Sequence, residues 1–295
     1  MNENLQTVLG SVVEVFGLVG VATLYARRFR FDTRATMRIG MDLFVPCLAF
    51  TALMDSDIRA SEFVTAAGAT LIQIGAGLLI GWLGLRLIGW GDRRELLMPI
   101  AFVNSANLPF PLLLTNFGAA GLSRGVLCYT TTNLLIFSIG LFLLHGGGRT
   151  REAFKEPALW ATVLAGLLRL LQVEVPETVM RVPRLAGMAA VPLMLVLFGD
   201  ALARTRMTAW KPAVVATILR YASGGLALLV TLTWLQPTGM LRKVLILYAL
   251  LPSAVVNVVL TQKAGRDDQA VASAILLATV VSIGLIPFLL WFMSR

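Results

Sequence analysis

Long apolar stretches alternate with short loops rich in arginine and lysine, and ten of the stretches meet or approach the roughly 20 residues that a helix needs to cross a bilayer. They are Leu5–Tyr25, Ile39–Met54, Phe63–Leu85, Leu96–Phe117, Val126–His145, Pro157–Leu171, Leu185–Ala203, Pro212–Leu235, Leu241–Thr261 and Ala270–Met293. The first is too long for a cleavable signal peptide and lacks its leading cations, so it reads as a retained span. No soluble domain is left over. The pattern predicts an all-α integral membrane protein with ten transmembrane helices.

Composition agrees. Of 295 residues, 57% are hydrophobic and 14% charged, and the mean hydropathy is +0.81, whereas a soluble domain is typically about 45–50% apolar and about 25% charged. The net charge of +9 raises the question of nucleic acid, but no basic run is interleaved with aromatics, and no nucleic-acid partner is expected. The cations sit in short loops, where they orient helices. Taken alternately, the loops hold sixteen cations on one side and eight on the other, with Arg220 inside a helix. The richer side is the cytoplasmic one, so both termini face outward. Cys47 and Cys128 both fall in apolar segments and read as buried thiols. No metal site is expected.

Pairs of short motifs recur at one nearly constant offset. Val45-Pro46 returns as Val191-Pro192, Leu114-Thr115 as Leu260-Thr261, and Ser138-Ile139-Gly140-Leu141 as Ser282-Ile283-Gly284-Leu285. The order and register divide the chain into two five-helix repeats, 1–145 and 157–295, joined by a short cytoplasmic linker, 146–156. An odd number of helices per repeat sends the second half through the membrane in the opposite sense. Inverted repeats of this kind are a transporter signature, with the binding site at their interface.

Two spans carry interruptions. In the fourth, Asn104-Ser105-Ala106-Asn107-Leu108-Pro109-Phe110-Pro111 places two amides and two prolines near mid-membrane. Pro109 and Pro111 lack an N–H and crowd the preceding turn, so a broken helix is expected around a polar cavity or against protein. The ninth span carries a matching break at Pro252, in Leu251-Pro252-Ser253-Ala254-Val255-Val256-Asn257. Where two broken helices cross, their N-terminal ends attract anions and their C-terminal ends offer carbonyls to cations. Asn104, Asn107, Ser253 and Asn257 either hydrogen-bond a substrate carboxylate directly or tie off the freed backbone groups.

These residues, together with Val191-Pro192-Leu193-Met194 leading to Gly199-Asp200-Ala201-Leu202, resemble the auxin efflux carrier family, which includes plant PIN-type carriers and bacterial carriers for malonate and other small organic acids. The resemblance covers essentially the whole chain. It implies ten helices in a 5+5 inverted repeat, a fold similar to the bile acid:sodium symporters, and a fourth and ninth helix crossing at a site that includes Pro109. It further implies a scaffold of helices 1, 2, 6 and 7, a moving unit of helices 3–5 and 8–10, elevator-type transport, and a homodimer as one assembly open to the family. Two features depart from the plant pattern. The long hydrophilic loop is absent, and Gln73 stands midway along the third span where plant-type members tend to carry an acidic residue.

Ionisable groups at membrane depth cost about 2.5–3.5 kcal/mol on insertion scales and are functional candidates by default. Arg220 lies deep in the eighth span, and its repeat counterpart is Gln73, so the two are expected to flank the crossover. Arg220 either helps hold a substrate anion, stands in for a bound sodium ion, or makes a structural pair. Glu14, mid-way along the first span, is the candidate for proton coupling, whereas Asp42 and Asp200 fall near inner helix ends. Phe110 reads as packing or as a cover over a ligand.

The function expected is secondary transport of small organic anions across a bacterial inner membrane by alternating access, with membrane lipid as the surrounding partner. No cofactor is expected beyond a coupling ion, proton or sodium. The alternative is sodium-coupled uptake of organic anions in the manner of the bile acid symporters. A channel or receptor comes next, and an intramembrane enzyme last, because the chain has one histidine and neither a G-x-S-x-G nor an H-E-x-x-H motif.

Overall fold

The computed structural model describes residues 3–29, 33–145 and 154–293. Arg30, Arg149, Arg151 and Arg295, which the loop count above includes, lie outside the described residues, as does most of the linker between the repeats. Nearly every described residue is helical. In chain order the helices are α1 (Glu3–Arg28), α2 (Thr33–Ile39), α3 (Val45–Met54), α4 (Ala60–Leu87), α5 (Leu97–Ala101), α6 (Pro109–Leu135), α7 (Leu141–His145), α8 (Pro157–Leu170), α9 (Glu177–Arg204), α10 (Trp210–Val230), α11 (Gly239–Ala249), α12 (Val256–Lys263) and α13 (Asp268–Met293). Five-residue π-helical stretches join α2 to α3 and α6 to α7, and another extends α10 to Leu235.

Among the described residues seven helices are long and apolar enough to cross a membrane. The ten expected spans exceed that number for identifiable reasons. The run Pro109–His145 counts as one helix of 37 residues, about 55 Å at 1.5 Å per residue, but it bends at Gly118, whose φ of 62° and ψ of −159° are open to glycine and strained for other residues. The α8 helix has only 14 residues. The expected fourth and ninth spans are interrupted, which leaves α5, α11 and α12 individually too short to cross.

Two helix ends differ from the hydropathy reading. The seventh element starts at Glu177, eight residues before the expected Leu185, because Pro183 lies inside α9 without ending it. The fourth span stops at Ala101, well before its prolines. Pro109 and Pro111 instead occupy the first turn of α6, where a missing N–H costs nothing. They begin the second piece of the broken helix; the extended backbone from Phe102 ends the first.

Packing follows two groupings. The α9 helix lies along α1 and α3, and α3 packs on α8. Elsewhere α10 packs against α4 and α13, and α4 against α5. Buried side chains in both are mainly Leu, Val, Ala and Phe. Bulky apolar side chains also cover the outside, including Val13, Leu79, Val182, Leu185 and Phe288, as expected of a protein solvated by lipid.

Candidate functional site

The two interruptions meet. Phe102 to Leu108 and Leu250 to Val255 run past each other in the interior, and Val103 and Ser253 form an antiparallel bridge. The bridge is closed by Asn104 N–H donating to Pro252 O at 2.8 Å and Ala254 N–H donating to Phe102 O at 3.0 Å. Each unwound segment therefore satisfies backbone groups of the other, as unpaired groups away from water require.

Close approach depends on two glycines from flanking helices. A Cβ at Gly77 of α4 would lie 2.6 Å from Ala101 Cα, at the C-terminus of α5. A Cβ at Gly224 of α10 would lie 2.1 Å from Ala249 O, at the C-terminus of α11. Neither distance is sterically possible, so both sites require glycine. Their neighbours Gly75 and Gly225 face open space.

The sequence-predicted polar residues fall into two sets around this junction. Ser253 and Asn257 are engaged with backbone. The Ser253 hydroxyl donates to Pro99 O at 2.5 Å, and Asn257 Nδ2 donates to Met98 O at 3.1 Å and Phe102 O at 3.0 Å. They satisfy carbonyls at and just beyond the C-terminus of α5, so of the two roles open to them this conformation shows backbone satisfaction. Asn104 Oδ1 accepts from Asn107 N at 3.1 Å, which organises the turn into α6. That bond fixes the Asn104 amide orientation and leaves its Nδ2 buried without a partner. The side-chain amide of Asn107 is partly exposed and makes no hydrogen bond among the described residues. Pro109 is buried and offers no donor.

Behind the junction, Gln73 and Arg220 serve neighbouring carbonyls of α11. Gln73 Nε2 donates to Tyr248 O at 2.9 Å, and Arg220 Nη2 donates to Ala249 O at 3.0 Å. Arg220 is 1% exposed, its Nε has no partner, and it forms no salt bridge among the described residues. Its charge faces the partial negative end of a half-helix. Phe110 is fully buried and meets the Tyr129 ring edge-on, which is packing. The structure does not bring Glu14 to this place: it is exposed on α1 and makes no ion pair among the described residues. Asp200 pairs with Arg204 at 2.8 Å, and Asp42 with Arg38 at 3.4 Å, both one helical turn apart.

Sequence reasoning missed Tyr248. Its hydroxyl shares its proton between Ser105 O at 2.7 Å and Gly125 O at 2.9 Å, while its carbonyl accepts from Gln73. One side chain thus ties α11 to the first interruption and to the second limb of α6. A tyrosine in an apolar run gives no signal of that role.

Away from the junction, a second polar cluster holds the turn after α3. Arg124 forks onto Glu62 at 2.8 and 3.0 Å and reaches Asp57 at 3.1 Å. Its hydrogen bond and charge hold the Asp57 carboxyl below the ordinary range. Arg169 donates to the carbonyls of Leu53, Ser56 and Ile58, which fixes the same turn against α8. A third cluster joins Arg93 to Glu95 and Asp267. Glu156 precedes α8 without capping it; burial, and to a smaller degree the charge of Asp42, push its carboxyl above the ordinary range.

Apolar helices of spanning length, two of whose neighbours break and pair inside the bundle, define a membrane transporter. The sequence signature of the membrane transport protein family, which is auxin efflux carrier-like, matches twice, over residues 7–153 and 148–290, and the chain belongs to that family. It is 29% identical to an uncharacterized transporter of Methanothermobacter thermautotrophicus, over 96% of this chain and 93% of the relative. It is 23% identical to an uncharacterized transporter of Methanocaldococcus jannaschii, over 73% of this chain and 74% of the relative.

Proposed function

We propose that the protein is a secondary carrier of small organic anions across the cytoplasmic membrane, working by elevator-type alternating access with the paired interruptions as its substrate site. The observation that carries the reading is the junction itself, where two broken helices pair by backbone and leave the Asn107 amide and Asn104 Nδ2 without partners among the described residues. Unengaged amide donors beside a half-helix N-terminus suit a carboxylate. Ser253 and Asn257 hold the frame on which those donors are displayed.

Ten spans in two inverted repeats fit the same features. Counting α5 with the first limb of α6, the second limb of α6 with α7, and α11 with α12 gives ten segments from the described helices. The short motifs that recur at a nearly constant offset, Val45-Pro46 with Val191-Pro192 and Leu114-Thr115 with Leu260-Thr261 among them, support two repeats. So do the paired glycines around the breaks, since Gly77 and Gly224 stand in equivalent places beside Ala101 and Ala249. In this reading α1, the Thr33–Met54 helix, α8 and α9 form the scaffold, and the remaining helices move with the substrate. The packing of α9 on α1 and α3, apart from that of α10 on α4 and α13, supports such a division.

The test is thermal unfolding in detergent against a panel of mono- and dicarboxylates that includes malonate and indole-acetate, with apolar controls. A ligand that binds only the folded state raises its apparent stability. A carboxylate that raises the unfolding temperature of the wild type and not of Asn107→Ala is the expected result. No response to any anion, across pH and sodium, would remove the organic-acid reading while leaving the fold intact.

A further inference from the structure

The C-terminal ends of the two inner half-helices meet different chemistry. At α5 the carbonyls of Met98 and Pro99, with that of Phe102 beyond them, accept from a neutral amide and a hydroxyl. At α11 the carbonyl of Ala249 accepts from a guanidinium, and that of Tyr248 from an amide. In transporters built on broken helices, such C-terminal ends and unwound carbonyls are where a coupling cation is coordinated.

We propose that Arg220 is the resident countercharge of the carrier, a covalently held cation that occupies the electrostatic place of a coupling metal ion at the α11 terminus and makes the substrate site sodium-independent. This rests on the junction being the substrate site, as argued above. Three features of the structure carry it. Arg220 is the largest fully buried side chain, and a buried cation persists only with a compensating partner. Its compensation is a helix terminus worth about half a charge, because no carboxylate pairs with it among the described residues. Finally, Gly224 lies one turn along the same helix, where a side chain would collide with both Ala249 O and Arg220 Nη1, so α10 is shaped to bring the guanidinium onto that carbonyl. The positive charge that remains, together with the partial positive charge at the N-terminus of α6, is complementary to a carboxylate at the junction, and a monoanion entering there brings the sum of guanidinium, the two helix termini and carboxylate close to balance. Arg220 is in this sense a positioning residue, which acts on the substrate through the field at the junction.

The experiment follows the unfolding temperature of wild type, Arg220→Lys and Arg220→Gln in about 100 mM sodium chloride or choline chloride, with guanidinium added in a parallel series. Wild type and Arg220→Lys are expected to unfold at the same temperature in sodium as in choline. Arg220→Gln is expected to unfold earlier in choline and to recover by on the order of 2–4 °C with sodium or guanidinium, which re-enter the vacated place. A merely structural arginine would not be rescued by a free cation. Sodium-specific stabilisation of the wild type overturns the proposal, as does an Arg220→Gln protein as stable as wild type, or one that is folded and unresponsive to either cation. Should Arg220→Gln give no folded protein, Arg220→Lys decides: a folded, sodium-insensitive lysine variant supports the charge role, and its loss overturns it. The cation series needs no substrate, so a carboxylate panel without a hit would defeat the functional reading and leave this result legible.

Discussion

The two interruptions solve one physical problem with different materials. Each breaks a helix in the interior and must find donors for the carbonyls so released. The first is closed by Ser253 and Asn257, neutral groups contributed by the second interruption itself. The second is closed by Gln73 and Arg220, which reach in from the flanking helices α4 and α10. The first arrangement is reciprocal and local to the junction. The second brings a full charge to it from outside. A junction that needed only mechanical closure would have no use for that asymmetry, and its chemistry is therefore where function is best sought.

The largest effect on this comparison is expected from the two glycines that let the flanking helices approach. Gly224→Ala places a methyl 2.1 Å from Ala249 O, and backbone must move to admit it, at a cost of about 3 kcal/mol or more. Gly77→Ala meets Ala101 Cα at 2.6 Å and should behave alike. The neighbouring changes Gly225→Ala and Gly75→Ala face open space and should raise stability by up to about 1 kcal/mol, the helix-propensity difference. Thermal unfolding of the four variants reads the contrast directly. Equal effects within either pair would mean that the helix approach described here is wrong.

Next in size is the separation of frame from site. Asn257→Ala removes the second donor from Met98 O and from Phe102 O, each of which keeps one backbone N–H, and should destabilise by about 1–2 kcal/mol, the net worth of two buried hydrogen bonds. Asn107→Ala removes a side chain that makes no hydrogen bond among the described residues and should stay within about 0.5 kcal/mol of wild type, while losing the carboxylate response. The pair is informative because both are asparagines beside one junction. A large stability loss in Asn107→Ala, or none in Asn257→Ala, would reverse the assignment of frame and site.

Much of this was legible from the chain. Polar and proline residues inside apolar runs are expensive, so Asn104, Pro109 and Pro252 marked the interruptions without any coordinates, and the repeat offset paired Gln73 with Arg220. What could not be read was the direction of each hydrogen bond. Asn257 and Asn107 are the same residue type in corresponding motifs, yet one faces the carbonyls of α5 and the other has no partner, a difference set by acceptors more than 150 residues away in sequence. The exact stopping point of the fourth span was also hidden, because the prolines that signal the break belong to the piece after it. Glu14 illustrates a third limit: its depth in the first span is readable, but the side of α1 on which it lies depends on how that helix docks against α9.

The smallest effects concern two carboxylates outside the spans, and they run in opposite directions with pH. Asp57 has its pKa lowered by Arg124. Its contribution to stability is therefore present above the unfolded value of about 3.9 and is lost as pH falls through the lower folded value. Asp57→Asn should lower the unfolding temperature slightly at pH 7, and the difference from wild type should close in strong acid. Glu156 has its pKa raised, chiefly by burial. It stabilises the fold only when protonated, a contribution complete below about pH 4.3 and lost as pH rises through the higher folded value. Glu156→Gln keeps the neutral shape at every pH, so it should unfold at a higher temperature than wild type at pH 7 and at the same temperature near pH 4. If both variants shifted stability in the same direction at pH 7, the Glu156 carboxyl would be a stabilising anion at the start of α8, and the contrast drawn between an arginine-paired carboxylate beside α6 and a buried one before α8 would fail.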